Sequence, residues 1–191
     1  VRHILLASIK DPSLTRSITN YLISVRPWQS DPRIAAKVLY MILMVAQYQR
    51  DLSAFVPITV KTDDIVNRYS NSKLGESYRG SLVAIAQLGS VIRVKLMLHA
   101  AHPEIEANFA INGSADAHLS EDLKRYILSI CQAGSAMLDG MGSMDSFVTE
   151  VLMLPVINEI GHVGALLKTI DPTCQEVESA RKVMGRAICT D

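Results

Sequence analysis

The sequence predicts an all-α protein in which about eight helices pack together through short connections. Apolar residues recur at helical spacing, and no segment alternates polar and apolar residues as a half-buried strand does. Hydrophobic residues make up 49% of the 191 residues and aromatic residues only 5%, so helix-on-helix packing of Leu, Ile, Val, Ala and Met is expected. A chain of this length can bury one core, which predicts a single domain over 1–191. Sequential helices of this kind form a bundle or an α-solenoid.

Two Asp-Pro pairs mark helix starts in the first quarter of the chain. An apolar helical segment over 4–9 precedes Asp11-Pro12, which combines an N-cap with a proline at the first helical position. The helix that follows is expected to fade near Arg26-Pro27. Asp31-Pro32 repeats the signal and opens a helix that runs to about Tyr48.

The middle of the chain is expected to hold a brief helix and a long one. Phe55-Val56-Pro57 predicts a stop, after which Thr62-Asp63-Asp64 caps a helix through Arg68. The long helix, from about Glu76 to His102, is apolar on more than one side, so it is expected to lie buried between neighbours. Residues 107–118 contain Gly, Asn and Asp and predict a loop.

Three helices are predicted in the last third, with starts at Ser120, Ser143 and Asp171-Pro172. Gly140 is expected to end the first of them. Pro155 lies inside the second and is expected to kink it or split it.

The charge of the chain sums to zero but is unevenly placed. Residues 1–50 carry seven Lys/Arg against two Asp/Glu, whereas 101–191 carry six against thirteen. A basic amino-terminal half can face an anionic surface, although chance segregation of solvated charges gives the same pattern. The balanced total does not indicate a nucleic acid as a partner.

Cysteine usage and hydropathy favour a reducing compartment and no membrane span. Cys131, Cys174 and Cys189 form no CxxC pair, and Cys131 falls in an apolar pattern typical of a core thiol. No signal-peptide pattern is seen, and no apolar run reaches the roughly 18 residues that cross a bilayer. The chain does not begin with Met, so we expect a functional segment before Val1.

Residues 95–103, with the sequence KLMLHAAHP, close the long helix and place His99 and His102 on one helical face. Such a pair can ligate a metal, with Glu104 and Glu106 nearby in sequence, or hold the helix end against the next turn. No HExxH motif supports the metal site, so a structural role is expected. The sequence also has no GxSxG motif, P-loop or dinucleotide fingerprint. We therefore expect a protein that is not an enzyme and binds no cofactor.

Three segments together resemble the ANTH domain, the phosphoinositide-binding helical domain of clathrin-associated adaptors. Residues 1–8 (VRHILLAS) are similar to the start of the second helix of that family, and 35–43 (AAKVLYMIL) to the helix that follows. Residues 95–103 resemble the Lys-Leu-x-Phe-His-x-x-His-Pro stretch of the huntingtin-interacting-protein-related branch, which links endocytic membrane to actin. Leu43 stands where the family usually has His, and the basic lipid motif of the family would lie before Val1.

The resemblance implies a right-handed superhelical stack (an α-solenoid) of about eight helices, ENTH/VHS-like, here expected to lack its first helix and basic motif. It implies a non-catalytic membrane adaptor domain that binds phosphoinositides in clathrin-mediated endocytosis or vesicle trafficking. The domain would be cytoplasmic and peripheral at the plasma membrane or clathrin-coated vesicles. The clathrin coat or actin machinery would bind through regions outside this chain.

An inositol phosphate headgroup is a compact polyanion, so it needs several basic side chains on one surface. The resemblance places the rim of that site at Arg2, His3, Lys10 and Lys37. Two other classes stay open. A helical protein-interaction module without lipid binding is favoured by Leu43 and by the missing basic motif. A viral helical matrix or nucleocapsid protein is compatible with the low aromatic content.

Overall fold

A computed structural model describes residues 11–24, 30–49, 52–70, 75–111, 117–142 and 144–188. Within these residues the chain forms seven α-helices, two short 3₁₀ turns and no strand, apart from an isolated bridge between Ile105 and Ile111. The predicted all-α class is therefore confirmed. The helix predicted over 4–9 lies outside the described residues.

The helices are numbered in chain order, and a 3₁₀ turn precedes each of the third and fourth. They are α1 (Pro12–Ser24), α2 (Pro32–Ala46), α3 (Val56–Ser70), α4 (Arg79–Ala101), α5 (Ala117–Gly140), α6 (Ser146–Ile170) and α7 (Glu176–Ile188), with the turns at Ser53–Phe55 and Glu76–Tyr78.

Side-chain capping fixes several helix starts. The carboxylate of Asp31 accepts the backbone N–H of Arg33 at 2.9 Å at the start of α2. Asp11 accepts the N–H of Ser13 at 2.9 Å in the same way. Both Asp-Pro predictions are confirmed, because each carboxylate satisfies one of the N–H groups that a helix start leaves without a partner. At α6 the cap is Asp145, two residues after the predicted start at Ser143.

Several predicted boundaries differ from the structure. The predicted starts at Thr62 and Ser120 are wrong, because α3 already begins at Val56 and α5 at Ala117. The predicted stop at Phe55-Val56-Pro57 is the start of α3, because proline fits the first turn of a helix, where its missing N–H removes no bond. Pro155 was predicted to kink α6 or to split it, and the split does not occur, because the helix continues from Ser146 to Ile170. Asp171 does not open α7 directly. Its carboxylate accepts the N–H of Thr173 in a turn, and α7 begins at Glu176.

The long helix α4 lies at the centre of the fold. It packs against α2, α3 and α5, and α5 in turn packs against α6 and α7. The buried apolar residues form one cluster that extends from Leu22 to Ala187 and includes Cys131, as predicted. Close approach of α3 to α4 depends on Gly89, where an added Cβ would lie 2.7 Å from Oγ1 of Thr62.

Two helical segments, Glu76–Ala101 and Ser146–Ile170, are long and apolar enough to cross a membrane by length and composition. The uninterrupted apolar runs in the sequence had predicted no membrane-spanning segment. Half or more of each apolar window is buried inside the fold, as in the core helices of many folded proteins. The finding is therefore weak support for a membrane span.

Candidate functional site

The carboxyl end of α4 carries the most specific sequence motif and gathers polar side chains in the core. Lys95, His99 and His102 follow one another at helical spacing on one face. The N–H of His102 donates to the carbonyl of Leu98 at 2.9 Å. Pro103 has no N–H to continue this pattern, so the helix ends here.

Lys95 and Glu159 form a buried ion pair between α4 and α6. Nζ of Lys95 lies 2.6 Å from Oε1 of Glu159, and the two side chains are 2% and 0% exposed. The ammonium also donates to the carbonyl of Ala107 at 2.7 Å and lies 4.4 Å from the ring centroid of Phe109. Burial lowers the pKa of Lys95, while the charge of Glu159 opposes that shift.

Two further donors converge on Glu159. The hydroxyl of Tyr126, on α5, donates to Oε1, and Nε2 of Gln47, which follows α2, donates to Oε2 at 2.9 Å. Lys95, Tyr126 and Gln47 all donate to this carboxylate, which acts only as an acceptor in this arrangement. Burial and the charge of Glu159 raise the pKa of Tyr126 well above its usual value, so its proton stays in place. Four segments of the chain thus meet at one carboxylate.

The loop after α4 is held by an aromatic contact. Phe109 adopts a left-handed backbone conformation with φ of 65°, which costs a residue with a side chain about 1–2 kcal/mol. Its ring centroid lies 5.5 Å from that of His99 and 5.7 Å from that of Tyr126. These contacts, with the ammonium of Lys95 over the same ring, hold the loop against the buried polar cluster. This cluster of Lys95, Glu159, Tyr126 and Gln47 is called the polar centre below.

His99 is a neutral imidazole. Its Nδ1 lies 3.0 Å from the carbonyl oxygen of Ile105, so Nδ1 carries the proton and donates. Burial, with the nearby positive charge of Lys95, lowers the pKa of His99 to about 4.

His102 has the opposite environment. Its Nδ1 lies 3.1 Å from Oε1 of Glu104 and its Nε2 lies 2.8 Å from Oδ2 of Asp122. Both ring nitrogens must carry protons to donate to two carboxylates, which is the imidazolium form. Burial alone would lower the pKa of His102, but the hydrogen bonds to Asp122 and Glu104 outweigh it and raise the pKa.

The contacts show the helix-end role that was expected for the two histidines. His102 joins the end of α4 to the start of α5 through Asp122, and His99 fixes the loop through Ile105. Within the described part of the chain, no group of three or more His, Cys, Asp and Glu side chains could hold a metal ion.

The predicted lipid-rim residues are only partly covered by the structure. Lys37 is exposed on α2 and forms no ion pair with any residue that the structure describes. Arg2, His3 and Lys10 lie outside the described residues, so their convergence with Lys37 stays a prediction. Leu43, which stands at the position of the usual His, is fully buried in the core.

Sequence reasoning missed the ion pair, although one signal was present. Glu159 is the lone Asp, Glu, Lys or Arg within residues 151–167, an otherwise apolar stretch, and Lys95 interrupts the apolar pattern of α4. A charged residue on the apolar face of a helix can lie in a core only if it is paired. The roles of Tyr126 and Gln47 carried no such signal.

No protein-family model, curated protein or solved structure matches the chain. The fold and the polar centre define an all-α protein whose charged core residues bind one another.

Proposed function

We propose that this chain is a phosphoinositide-binding membrane adaptor domain of the ANTH type, acting without catalysis in clathrin-mediated endocytosis or vesicle trafficking. The observation that carries the proposal is the segment 95–103, the most specific of the three segments that resemble the family. Its polar side chains organise a helix end, a role that fits a structural signature better than a ligand site. On this proposal the seven described helices belong to a right-handed superhelical stack of the ENTH/VHS type.

Lipid binding would depend on surface cations at the amino-terminal end. Lys95, His99 and His102 already bind protein groups, so they are not available to a headgroup. Lys37 projects from α2 into solvent in the basic half of the chain. With Arg2, His3 and Lys10 it would supply the several donors that a phosphorylated inositol needs.

The proposed setting is the cytoplasmic face of the plasma membrane or of clathrin-coated vesicles. That leaflet is negatively charged, and each Lys or Arg near its surface contributes about 1 kcal/mol. Coat or actin partners would bind regions outside this chain, as the resemblance implies.

Vesicle sedimentation tests the proposal. The chain, together with any residues that precede Val1 in the natural protein, is mixed with phosphatidylcholine vesicles with and without phosphatidylinositol bisphosphate. We expect Lys37→Glu to weaken phosphoinositide binding about threefold to tenfold. Lys182→Glu, an exposed lysine on α7 in the acidic third of the chain, is the matched control and should change binding by less than about twofold.

Two results would count against the proposal. One is equal binding to neutral and phosphoinositide vesicles at moderate salt. The other is an equal loss for Lys37→Glu and Lys182→Glu, which would indicate attraction by total charge without a localised site.

A protein-interaction module without lipid binding is the second candidate, and one observation favours it. A cleft of about 470 Å³ lies between α3 and α4, and its mostly apolar lining includes Val66, Leu82 and Ala86 together with Arg79. Clefts of this size and apolar character are typical binding sites. A chain that binds none of the vesicles would favour this candidate.

A further inference from the structure

The outer face of α6 carries a continuous strip of residues that face away from the core, except for Ile157, which packs partly against it. Its members share one side of the helix at spacings of three and four residues and are Glu150, Leu154, Ile157, Gly161, Ala165 and Lys168. All are exposed except Ile157, which is half-buried, and Leu154 is 42% exposed. The strip is apolar in its middle and charged at its two ends.

The strip is complementary to itself in the antiparallel direction. Suppose that a two-fold axis passes through the exposed strip at the level of Glu159 along the helix. The α6 helix of a second copy then lies against the strip and runs in the opposite direction. Glu150 then lies opposite Lys168 of the second copy, and Ile157 opposite Gly161. Leu154 lies opposite Ala165, within about one residue rise of 1.5 Å. A parallel, in-register pair would instead place like charges together.

Size as well as charge matches in this arrangement. Each large apolar side chain meets a small residue, which lets two helices approach closely. A Cβ added at Gly161 would meet nothing within 4 Å, so the face is open there. Glu150 and Lys168 form no ion pair with any other residue in the described ranges, so both charges are available to the second copy.

We propose that α6 is a docking surface for a second copy of this chain, paired antiparallel across a two-fold axis. The pair is held by Leu154 and Ile157 against Ala165 and Gly161 of the second copy and by two Glu150–Lys168 ion pairs. One helix pair of this length buries less than a standard interface, so we expect a dissociation constant on the order of 10–100 µM. The inference does not depend on lipid binding.

Sedimentation velocity over a series of protein concentrations provides the first test. We expect the unmodified chain to pass from monomer to dimer. Gly161→Arg should keep the chain monomeric, because its side chain fills the contact. Gly185→Arg on α7 is the matched control, since an added Cβ there also meets nothing within 4 Å. Circular dichroism checks that both variants fold.

Charge reversal tests the antiparallel register. Glu150→Lys and Lys168→Glu should each weaken self-association about tenfold, because each places like charges at both ends of the pair. An equimolar mixture of the two variants should regain association, since every contact then joins Lys to Glu. The double variant should regain it for the same reason.

Several outcomes would overturn the proposal. These are a chain that stays monomeric at all concentrations, a Gly161→Arg variant that still dimerises, and a mixture of the charge variants that does not recover. If the chain is monomeric but Leu154→Glu reduces its binding to neutral vesicles, lipid covers this face and the proposal fails. Each result is independent of the phosphoinositide assay, so failure of either proposal can be recognised.

Discussion

Lys95 and Glu159 show how one residue pair can decide the stability of a largely apolar fold. Removing one member leaves the other charge buried without compensation, which typically costs about 3–5 kcal/mol. We therefore expect Lys95→Met to lower the free energy of unfolding by about that amount. Lys95→Met combined with Glu159→Gln should cost less, because no buried charge is left unpaired and the amide oxygen still accepts from Gln47, while the amide NH2 donates to the hydroxyl oxygen of Tyr126. Urea unfolding measures both.

The control for this prediction is a surface ion pair between α4, the helix of Lys95, and α3. Arg93 lies 2.7 Å from Asp63, and both side chains are about half exposed. Exposed pairs contribute about 0–1 kcal/mol, so Arg93→Met should have a small effect. Equal losses for Lys95→Met and Arg93→Met would contradict the special role of the buried pair.

His99 should make the protein less stable in acid. Its pKa is lowered from 6.5 to about 4 by burial, so between these values the unfolded state binds more protons than the folded state. Stability therefore falls as the pH drops from 6.5 to about 4. His99→Asn should remove this loss, on the order of 2 kcal/mol for a half-buried group. The test is the free energy of unfolding of both proteins across that range, and parallel curves would contradict it.

His102 should contribute with the opposite sign. Its folded pKa is raised by the hydrogen bonds to Asp122 and Glu104, which outweigh the effect of burial. Its contribution is therefore complete below the unfolded pKa of about 6.5 and is lost as the pH rises through the folded pKa. We expect His102→Gln to reduce stability more at about pH 6 than at about pH 9. NMR titration of the imidazole measures the pKa directly, and a value below that of unfolded His would refute this prediction.

At the scale of the helices, two glycines should respond in opposite ways to the same substitution. Gly89→Ala puts a methyl group 2.7 Å from Oγ1 of Thr62, so we expect a loss of about 1–3 kcal/mol from overpacking. Gly161→Ala meets nothing within 4 Å and should gain up to about 1 kcal/mol from helix propensity. Thermal and urea unfolding measure both changes. Equal effects would mean that helix propensity alone decides them.

Helix starts set by a neighbouring side chain could be predicted from the sequence, and those set by packing could not. Asp11 and Asp31 cap through hydrogen bonds that span two residues, so the local sequence contains the whole signal. Whether Pro57 and Pro155 break a helix depends on the surrounding contacts. Pro57 occupies a first turn, and buried Pro155 keeps its place through packing, with its carbonyl accepting from Gln47 at 2.6 Å.

In the candidate site, too, contacts between residues close in sequence could be predicted, and contacts between distant residues could not. The helix-end role of His99 and His102 follows from their position before Pro103, and their partners include Ile105 and Glu104, a few residues away. Lys95 and Glu159 are 64 positions apart in the chain, and the sequence alone does not give their distance. An isolated charge in an apolar helix predicts a buried partner but does not identify it.

At the scale of the whole molecule, the polar centre lies within a single apolar cluster that reaches from Leu22 to Ala187. Glu159 joins α6 to α4, α5 and the segment after α2, so local loss of any one of them leaves buried polar groups without partners. Such coupling disfavours partly unfolded states. It is the physical basis for expecting one folding unit.

We therefore predict that the chain unfolds in one cooperative transition. The calorimetric enthalpy should equal the van't Hoff enthalpy, and helical content and aromatic absorbance should change together. Lys95→Met should shift the whole transition to lower temperature without splitting it, because the ion pair couples helices from the middle and the end of the chain. Differential scanning calorimetry of both proteins measures this. Two resolved transitions, or a variant that loses α6 and α7 before the rest, would show that the chain contains more than one unit.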